Sequence, residues 1–252
     1  MSPATLFTGQ QLIWLPACPS TNSMAQQLQR ENRASEGCTV ITGHQTAGRG
    51  QRGNQWEAAP NENLTLSVVW QPTFLAATEQ FLLSQAVALA ALDWARRWLG
   101  ASGESMLRVK WPNDLYAGNQ KLGGILIENT LSGAKIQYSV VGIGLNVNQS
   151  AFGVPTATSL SQLTGRQYDL AEVAARLLEY LEARYLQLRA GRVGQLRHDY
   201  LAALYRYRQR HLFLIDNEPT TGEIVGVDDD GHLAVQLAGG VRHFGLQEIR
   251  YL

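Results

Sequence analysis

The sequence predicts an α+β fold in which a mixed β-sheet packs with helices and a small all-β barrel follows. Three features of the 252-residue chain predict this fold. Runs of β-branched residues at 38–42 and 64–70 are typical of strands. Apolar residues spaced by three or four over 170–188 are typical of a helix that buries one face. The last stretch of about 45 residues alternates short apolar strands with turn signals, as small barrels do.

The elements of the first part are predicted in chain order. Residues 20–23 (STNS) can cap a helix with their side chains, and good helix formers follow them. Residues 43–63 hold four glycines and little apolar material, which predicts a long loop. The other predicted elements are a strand at 64–70, a buried helix at 81–99, a strand at 107–112 stopped by Pro112, a hairpin turning at Gly118-Asn119, a strand at 135–148, and helices at 170–188 and from about 192 to 209.

The composition changes near residue 208, so we expect two domains, 1–207 and 208–252. In the second, Asp230-Gly231 and Gly239-Gly240 are typical hairpin dipeptides.

The bulk composition excludes several classes of protein. The formal net charge is zero, which argues against a protein that mainly binds nucleic acid. The N-terminus lacks the basic start and apolar core of a signal peptide, and no apolar run approaches the length of a membrane span. Cys18 and Cys38 lack zinc-site spacing and are expected to be reduced thiols. We therefore expect a cytoplasmic protein.

The stretch GRGQRG, Gly48 to Gly53, fits the dinucleotide pattern G-x-G-x-x-G but lacks its context. The residues that follow include Pro60 and show no helical period, and no acid lies between Glu62 and Glu79 to bind a ribose. The chain also contains no P-loop and no nucleophile elbow. DDDG at 228–231 is interpreted as an acidic hairpin turn rather than a calcium loop.

Three segments carry more chemistry than folding requires: 44–56, 109–128 and 142–146. They contain cations beside glycines that let a ligand approach the backbone, a combination suited to a polyanion such as a nucleoside triphosphate. The cations are Arg49, Arg52, Lys110 and Lys121.

Two residues in these segments have open alternatives. Lys110 lies in an apolar strand, where it pairs with Asp114, points outward from an edge strand, or faces a ligand. Trp56 either anchors the glycine-rich loop on the core or stacks on a base.

The motifs AGRGQRGNQW, KWPND, KLGGILIE and GIGLN, in this order and spacing, closely resemble biotin protein ligase. STN at 20–22 and the C-terminal β-region fit as well, so the resemblance runs from about residue 12 to the C-terminus. It implies the class II synthetase-like biotin/lipoate ligase fold with an SH3-like C-terminal barrel. It also implies a two-step reaction. Biotin and Mg-ATP give biotinyl-5′-AMP, and biotin then passes to a lysine of the biotin carboxyl carrier protein of acetyl-CoA carboxylase.

The resemblance also implies roles for individual residues. The residues that it implies for biotin binding are Ser20, Thr21, Asn22, Gln45, Gly48, Arg49, Gly50, Lys121 and Gly124. The residues that it implies for binding ATP or the adenylate are Arg52, Trp56, Lys110, Asn113 and Asn146. Catalysis is assigned to Lys121 first, with Arg49, Lys110 and Asp114. For Asp114 three roles stay open: holding Mg²⁺, orienting Lys121, or orienting the incoming lysine.

The sequence departs from the family pattern in three places. Gln51 replaces the middle arginine of GRGRRG, and Gly123 replaces the alanine of KLAG. About ten residues precede the matching segment, so we expect no N-terminal DNA-binding domain and no DNA partner. Monomer and homodimer are both open.

Two alternative functions remain. One is a lipoate ligase or octanoyltransferase of the same fold, and the other is a non-catalytic biotin or nucleotide sensor. In the ligase interpretation, the glycine-rich loop becomes ordered when ligand binds.

Overall fold

The computed structural model describes residues 2–252, apart from the side chains of Arg52, Ala101, Ser102 and Glu104. A seven-stranded sheet has the order β1-β2-β3-β7-β6-β5-β4. Its strands are β1 (Leu12–Leu15), β2 (Thr39–Thr42), β3 (Leu64–Trp70), β4 (Leu107–Lys110), β5 (Asp114–Ala117), β6 (Gln120–Ser132) and β7 (Lys135–Leu145). Only the β1–β2 pair of this sheet is parallel, so the sheet is mixed as predicted.

Helices cover both faces of this sheet. They are α1 (Thr21–Arg30), α2 (Gln80–Glu104), α3 (Leu160–Thr164), α4 (Leu170–Arg189) and α5 (Val193–Ala203). Alternate residues of β3 face opposite sides, because strand side chains alternate. Val68 packs in the main core with α2 and α4, whereas Val69 packs in a smaller cluster with α1. Every residue of β3 is therefore buried.

The C-terminal part forms a five-stranded antiparallel sheet with the order β11-β10-β9-β8-β12. The strands are β8 (Arg210–Ile215), β9 (Glu218–Val227), β10 (Leu233–Leu237), β11 (Gly240–Phe244) and β12 (Ile249–Tyr251). Phe213 and Val235 of this sheet belong to the same buried core as α2 and α4. The indole N–H of Trp111 donates to the Gly231 carbonyl at 2.9 Å, which joins the two sheets directly.

Three local predictions were wrong or incomplete. Ser20 occupies the N-cap of α1, but its side chain accepts no capping hydrogen bond. The helix predicted to reach about 209 ends at Ala203, because Leu204 is extended and Arg206 has a φ of 61°. The short apolar stretch LIWLP at 12–16 was not predicted to be a strand, yet β1 pairs in parallel with β2.

Candidate functional site

The described residues enclose a cavity of about 710 Å³ between the glycine-rich loop, β4–β7 and the C-terminal sheet. The chain has three lysines, and two of them, Lys110 and Lys121, line this cavity. Most of the predicted site residues meet here: Ser20, Thr21, Asn22, Gln45, Arg49, Gly50, Trp56, Lys110, Asn113, Asp114, Lys121 and Gly124. The three segments that the sequence singled out therefore surround one space.

One end of the cavity is formed by the start of α1. The backbone N–H and the hydroxyl of Thr21 both donate to Gln45 Oε1, at 2.7 and 3.1 Å. Gln45 thereby satisfies a free amide in the first turn of α1, where residues 20–23 were predicted to act as caps. Ser67 Oγ, which sequence reasoning missed, lies 2.7 Å from Thr21 Oγ1 and 2.6 Å from Asn22 Oδ1. These groups form a buried set of donors and acceptors suited to a small polar ligand.

Asn22 extends this polar set to β6 and β7. Its amide donates to the Leu126 carbonyl at 3.2 Å and to Glu128 Oε2 at 2.7 Å. A Cβ at Gly142 would lie 2.1 Å from Asn22 Oδ1, so glycine is needed for this close approach.

The glycine-rich loop is held to the sheet by a two-point ion pair. Arg49 Nη1 donates to Glu128 Oε1 at 3.0 Å, and Nη2 donates to Glu128 Oε2 at 2.8 Å. Because the same carboxylate accepts from Asn22, Glu128 connects the loop to the start of α1. Glu128 ends the KLGGILIE motif but had no predicted role.

Asp114 pairs with Lys121 across the β5–β6 ladder. Lys121 Nζ lies 2.7 Å from Asp114 Oδ1, and a Cβ at Gly124 would lie 3.4 Å from both groups. Asp114 thus holds Lys121 in place, which corresponds to one of its three open roles.

Lys110 lies at the end of edge strand β4, and aromatic rings surround its ammonium. Nζ is 3.1 Å from the Tyr116 hydroxyl and 4.7 Å from the ring centroids of Tyr116 and Tyr251. Burial lowers the pKa of Lys110, and the charge of Asp114 partly offsets the effect. Lys110 therefore lies among π faces, while the Asp114 carboxylate is bonded to Lys121.

Trp56 packs directly on β7. A Cβ at Gly144 would lie 2.4 Å from the Trp56 ring, so only glycine permits this contact. The Trp56 indole N–H is buried and has no hydrogen-bond partner among the described residues. The ring anchors the loop and also borders the cavity, so both alternatives for Trp56 stay compatible with its position.

Three predicted residues are placed differently. Asn146 is buried below the cavity, where its amide donates to the Thr158 carbonyl at 2.9 Å and to the Lys121 carbonyl at 3.4 Å. Gly48 pairs with Trp56 within the loop, where its carbonyl accepts from the Trp56 N–H at 3.1 Å and a Cβ would be 2.3 Å from the Trp56 carbonyl oxygen. The side chain of Arg52 lies outside the described residues. Gln51, at the position that departs from the family pattern, borders the cavity.

The C-terminal sheet contributes to the same cavity. Its contributions, which sequence reasoning missed, are Leu246, Gln247, Ile249, Arg250 and Tyr251. The sequence left the role of this region open, and no motif in it resembles a binding site. Its last strand nevertheless supplies one wall of the cavity.

Two absences concern the described residues alone. Within residues 2–252, no cluster of three or more His, Cys, Asp or Glu side chains could hold a metal ion. Over the same range, none of the helices combines the length and apolar character needed to cross a bilayer.

Residues 14–146, more than half of the chain, match the biotin/lipoate A/B protein ligase family, and residues 213–247 match the biotin protein ligase C terminal domain. The chain is 35% identical to the biotin–[acetyl-CoA-carboxylase] ligase of Mycobacterium tuberculosis, over 81% of this chain and 75% of the relative. It is 30% identical to the bifunctional ligase/repressor BirA of Bacillus subtilis, over 93% of this chain and 72% of the relative. A solved biotin protein ligase from Aquifex aeolicus in complex with biotin and ATP matches with a TM-score of 0.77 and 25% identity, over 96% of this chain and 100% of that chain. The chain therefore belongs to the biotin/lipoate A/B protein ligase family and carries a biotin protein ligase C-terminal domain.

Proposed function

We propose that the chain is a biotin–[acetyl-CoA-carboxylase] ligase, with residues 1–207 as its catalytic domain and 208–252 as its C-terminal β-domain. One observation carries the proposal: a single cavity joins a buried hydroxyl and amide set to a group of cations that includes Arg49, Lys110 and Lys121. Relatives named as biotin ligases, and a neighbour solved with biotin and ATP, support it. Biotin would lie at the start of α1, against Ser20, Thr21, Asn22 and Gln45.

In the first step, a biotin carboxylate oxygen attacks the α-phosphorus of ATP and pyrophosphate leaves, giving biotinyl-5′-AMP. Two anions must approach each other, so the protein has to supply positive charge where negative charge develops. Lys121 contacts the carboxylate and the α-phosphate, Arg49 covers both from the loop, and Lys110 serves the triphosphate. Asn113 and Trp56 then border the nucleotide, and Gly50 lets the loop approach it.

The residues around the cavity fit a Mg²⁺ ion that binds together with ATP. Of the residues placed around the cavity, Asp114 is the sole carboxylate, and its Oδ1 is bonded to Lys121. Mg²⁺ typically takes one or two carboxylates together with substrate phosphates and water. Asp114 would therefore hold a metal that arrives on the triphosphate, and the metal would offset phosphate charge.

In the second step, the neutral amine of the carrier lysine attacks the acyl carbon of the mixed anhydride. The C–N bond forms, AMP leaves, and the nitrogen loses a proton. The partner is the biotin carboxyl carrier protein of acetyl-CoA carboxylase. We expect the reaction to take place in the cytoplasm, where ATP is available.

The test is transfer of biotin to a purified carrier domain, with release of pyrophosphate measured in parallel. Lys121→Ala should lower transfer by at least about 100-fold, because it removes a charge that stabilises the transition state. Lys135→Ala is the matched control, since Lys135 is the third lysine of the chain and is exposed at the start of β7.

Three outcomes would overturn the proposal. Wild-type protein that releases no pyrophosphate with biotin and ATP would contradict it directly. Lipoate replacing biotin in adenylate formation would favour a lipoate ligase. Biotin binding without any carrier labelling would favour a sensor.

A further inference from the structure

Lys110 is held by rings from both sheets of the molecule. Tyr116 lies on β5 of the seven-stranded sheet, and Tyr251 lies on β12 of the C-terminal sheet. The Lys110 ammonium is equally close to both, 4.7 Å from each ring centroid. The contact between Tyr251 and Lys110 joins residues that are more than 140 positions apart in the sequence.

A ring face and a carboxylate hold a lysine differently. A carboxylate cancels the charge of the ammonium, whereas the negative face of a ring attracts it and leaves its charge available. The nearby carboxylate, Asp114, bonds Lys121 at 2.7 Å. The two rings thus fix the position of the Lys110 ammonium at the cavity wall without neutralising it.

Tyr251 uses its ring rather than its hydroxyl. The ring packs edge-on against Phe213 with centroids 5.3 Å apart and lies 5.9 Å from the ring of Tyr205. The hydroxyl is buried and has no hydrogen-bond partner among the described residues. A buried hydroxyl without a partner does not stabilise a fold. What this position provides is therefore an aromatic face, which phenylalanine would supply equally well.

We propose that Tyr251 is a positioning residue that holds Lys110 for the triphosphate of ATP, so that the nucleotide step depends on the C-terminal sheet. The inference rests on the proposed function. Thr21 and Asn22, which would hold biotin, bond groups of the glycine-rich loop, β3 and β6, whereas the Tyr251 ring contacts Lys110 and Phe213. Loss of the Tyr251 ring should therefore weaken the binding of ATP and leave the binding of biotin unchanged.

The experiment compares Tyr251→Leu with Tyr251→Phe in the full-length protein. KM for ATP is measured by biotin-dependent pyrophosphate release. ATP binding is measured by calorimetry without biotin, so that no adenylate forms, and biotin binding is measured by calorimetry without ATP. Tyr251→Leu should raise KM and Kd for ATP about three- to tenfold, as loss of one cation–π contact implies. Tyr251→Phe should restore both to within about twofold of wild type, and biotin Kd should change in neither variant.

Two further variants separate positioning from folding. Tyr207→Leu is the matched control, because its ring contacts Arg208 rather than Lys110, and its ATP KM should equal that of wild type. In a Lys110→Met background the effect of Tyr251→Leu on ATP should disappear, since the ring acts through the lysine. If Tyr251→Leu fails to fold, Tyr251→Met replaces it, because the flexible thioether fills the same gap without a ring face.

Each outcome decides the question. The inference is overturned if ATP binding is unchanged in Tyr251→Leu, if Tyr251→Phe is equally impaired, or if the effect persists without Lys110. Equal loss of ATP and biotin affinity would indicate a purely structural role and would also overturn it. Wild-type protein that binds ATP but releases no pyrophosphate would contradict the proposed function alone, because the ATP calorimetry still tests Tyr251.

Discussion

Replacing Glu128 with glutamine should weaken biotin binding by releasing the glycine-rich loop. The carboxylate accepts three hydrogen bonds, two from Arg49 and one from Asn22. Glutamine keeps the volume but offers one oxygen, and its amide N–H groups would face other donors. At least one of the two partners must therefore lose its contact.

The solvent exposure of the Arg49–Glu128 ion pair determines how much free energy the pair contributes. The side chains of Arg49 and Glu128 are 42% and 27% exposed, so solvent screens part of their attraction. The two-point geometry raises the value above that of an ordinary surface pair, to about 1 kcal/mol. That corresponds to about a fivefold increase in biotin Kd. The guanidinium keeps three of its five N–H groups for a ligand, so the ion pair positions Arg49 without occupying it.

Calorimetry with biotin measures the affinity, and limited proteolysis at 48–55 measures how firmly the loop is held. Glu179→Gln is a matched control, because Glu179 pairs with Arg176 at 2.8 Å with similar exposure, 47% and 23%, away from the cavity. A double-mutant cycle with Arg49→Gln should give a coupling of about 1 kcal/mol.

The reasoning is refuted if Glu128→Gln binds biotin as tightly as wild type, or more tightly. That result would mean that Glu128 competes with the ligand for Arg49. A coupling near zero would instead show that Glu128 acts through Asn22 alone.

Three further predictions concern the nucleotide side and the joint between the sheets. Gly144→Ala would place a Cβ 2.4 Å from the Trp56 ring, so the Kd for ATP measured by calorimetry should rise at least about fivefold. Gly153→Ala is the control and should leave this Kd unchanged, because the space around Gly153 is open. Because burial lowers the pKa of Lys110, ATP affinity should fall as pH rises through that lowered pKa, and Lys110→Arg, which stays charged, should flatten the profile. Between this lowered pKa and the ordinary pKa of lysine, the unfolded chain binds more protons at Lys110 than the folded chain does. The contribution of Lys110 to the free energy of unfolding should therefore increase as pH rises. Trp111→Phe removes the 2.9 Å bond to the Gly231 carbonyl and should lower Tm by about 2–4 °C in a thermal melt.

Much of the fold follows from local patterns. The period of three or four over 170–188 predicted α4, and its buried residues Val173, Leu177 and Leu181 lie on the predicted face. The β-branched run at 64–70 coincides with β3. Strand β1 was missed because four residues carry little periodicity, and its pairing with β2 joins residues 27 positions apart, such as Leu12 and Thr39.

The candidate site was predictable where glycines and cations lie in one sequence motif. It was less predictable where a residue's contacts depend on how strands pair or how the two sheets pack. Glu128 follows Gly124 by four positions, so both belong to the same face of β6, and this alternation was a usable signal. No such signal existed for Tyr251. Its contact with Lys110 depends on how the C-terminal sheet packs against β4 and β5, which no local pattern in either segment encodes.

Three cations of the cavity, Arg49, Lys110 and Lys121, differ in how they are held, and this difference bears on how a polyanion binds each of them. Arg49 and Lys121 each have a carboxylate within 2.8 Å, so a ligand must share them with Glu128 or Asp114. Lys110 is held by neutral rings, with its ammonium 4.7 Å from the ring centroids of Tyr116 and Tyr251. We therefore expect a triphosphate to bind Lys110, beside the C-terminal sheet, without displacing a carboxylate. Under the proposed function, Lys121, which bonds Asp114, serves the biotin carboxylate and the α-phosphate, where charge develops in the reaction. Holding Lys110 with rings, and Arg49 and Lys121 with carboxylates, would on this proposal separate nucleotide capture from catalysis within a single cavity.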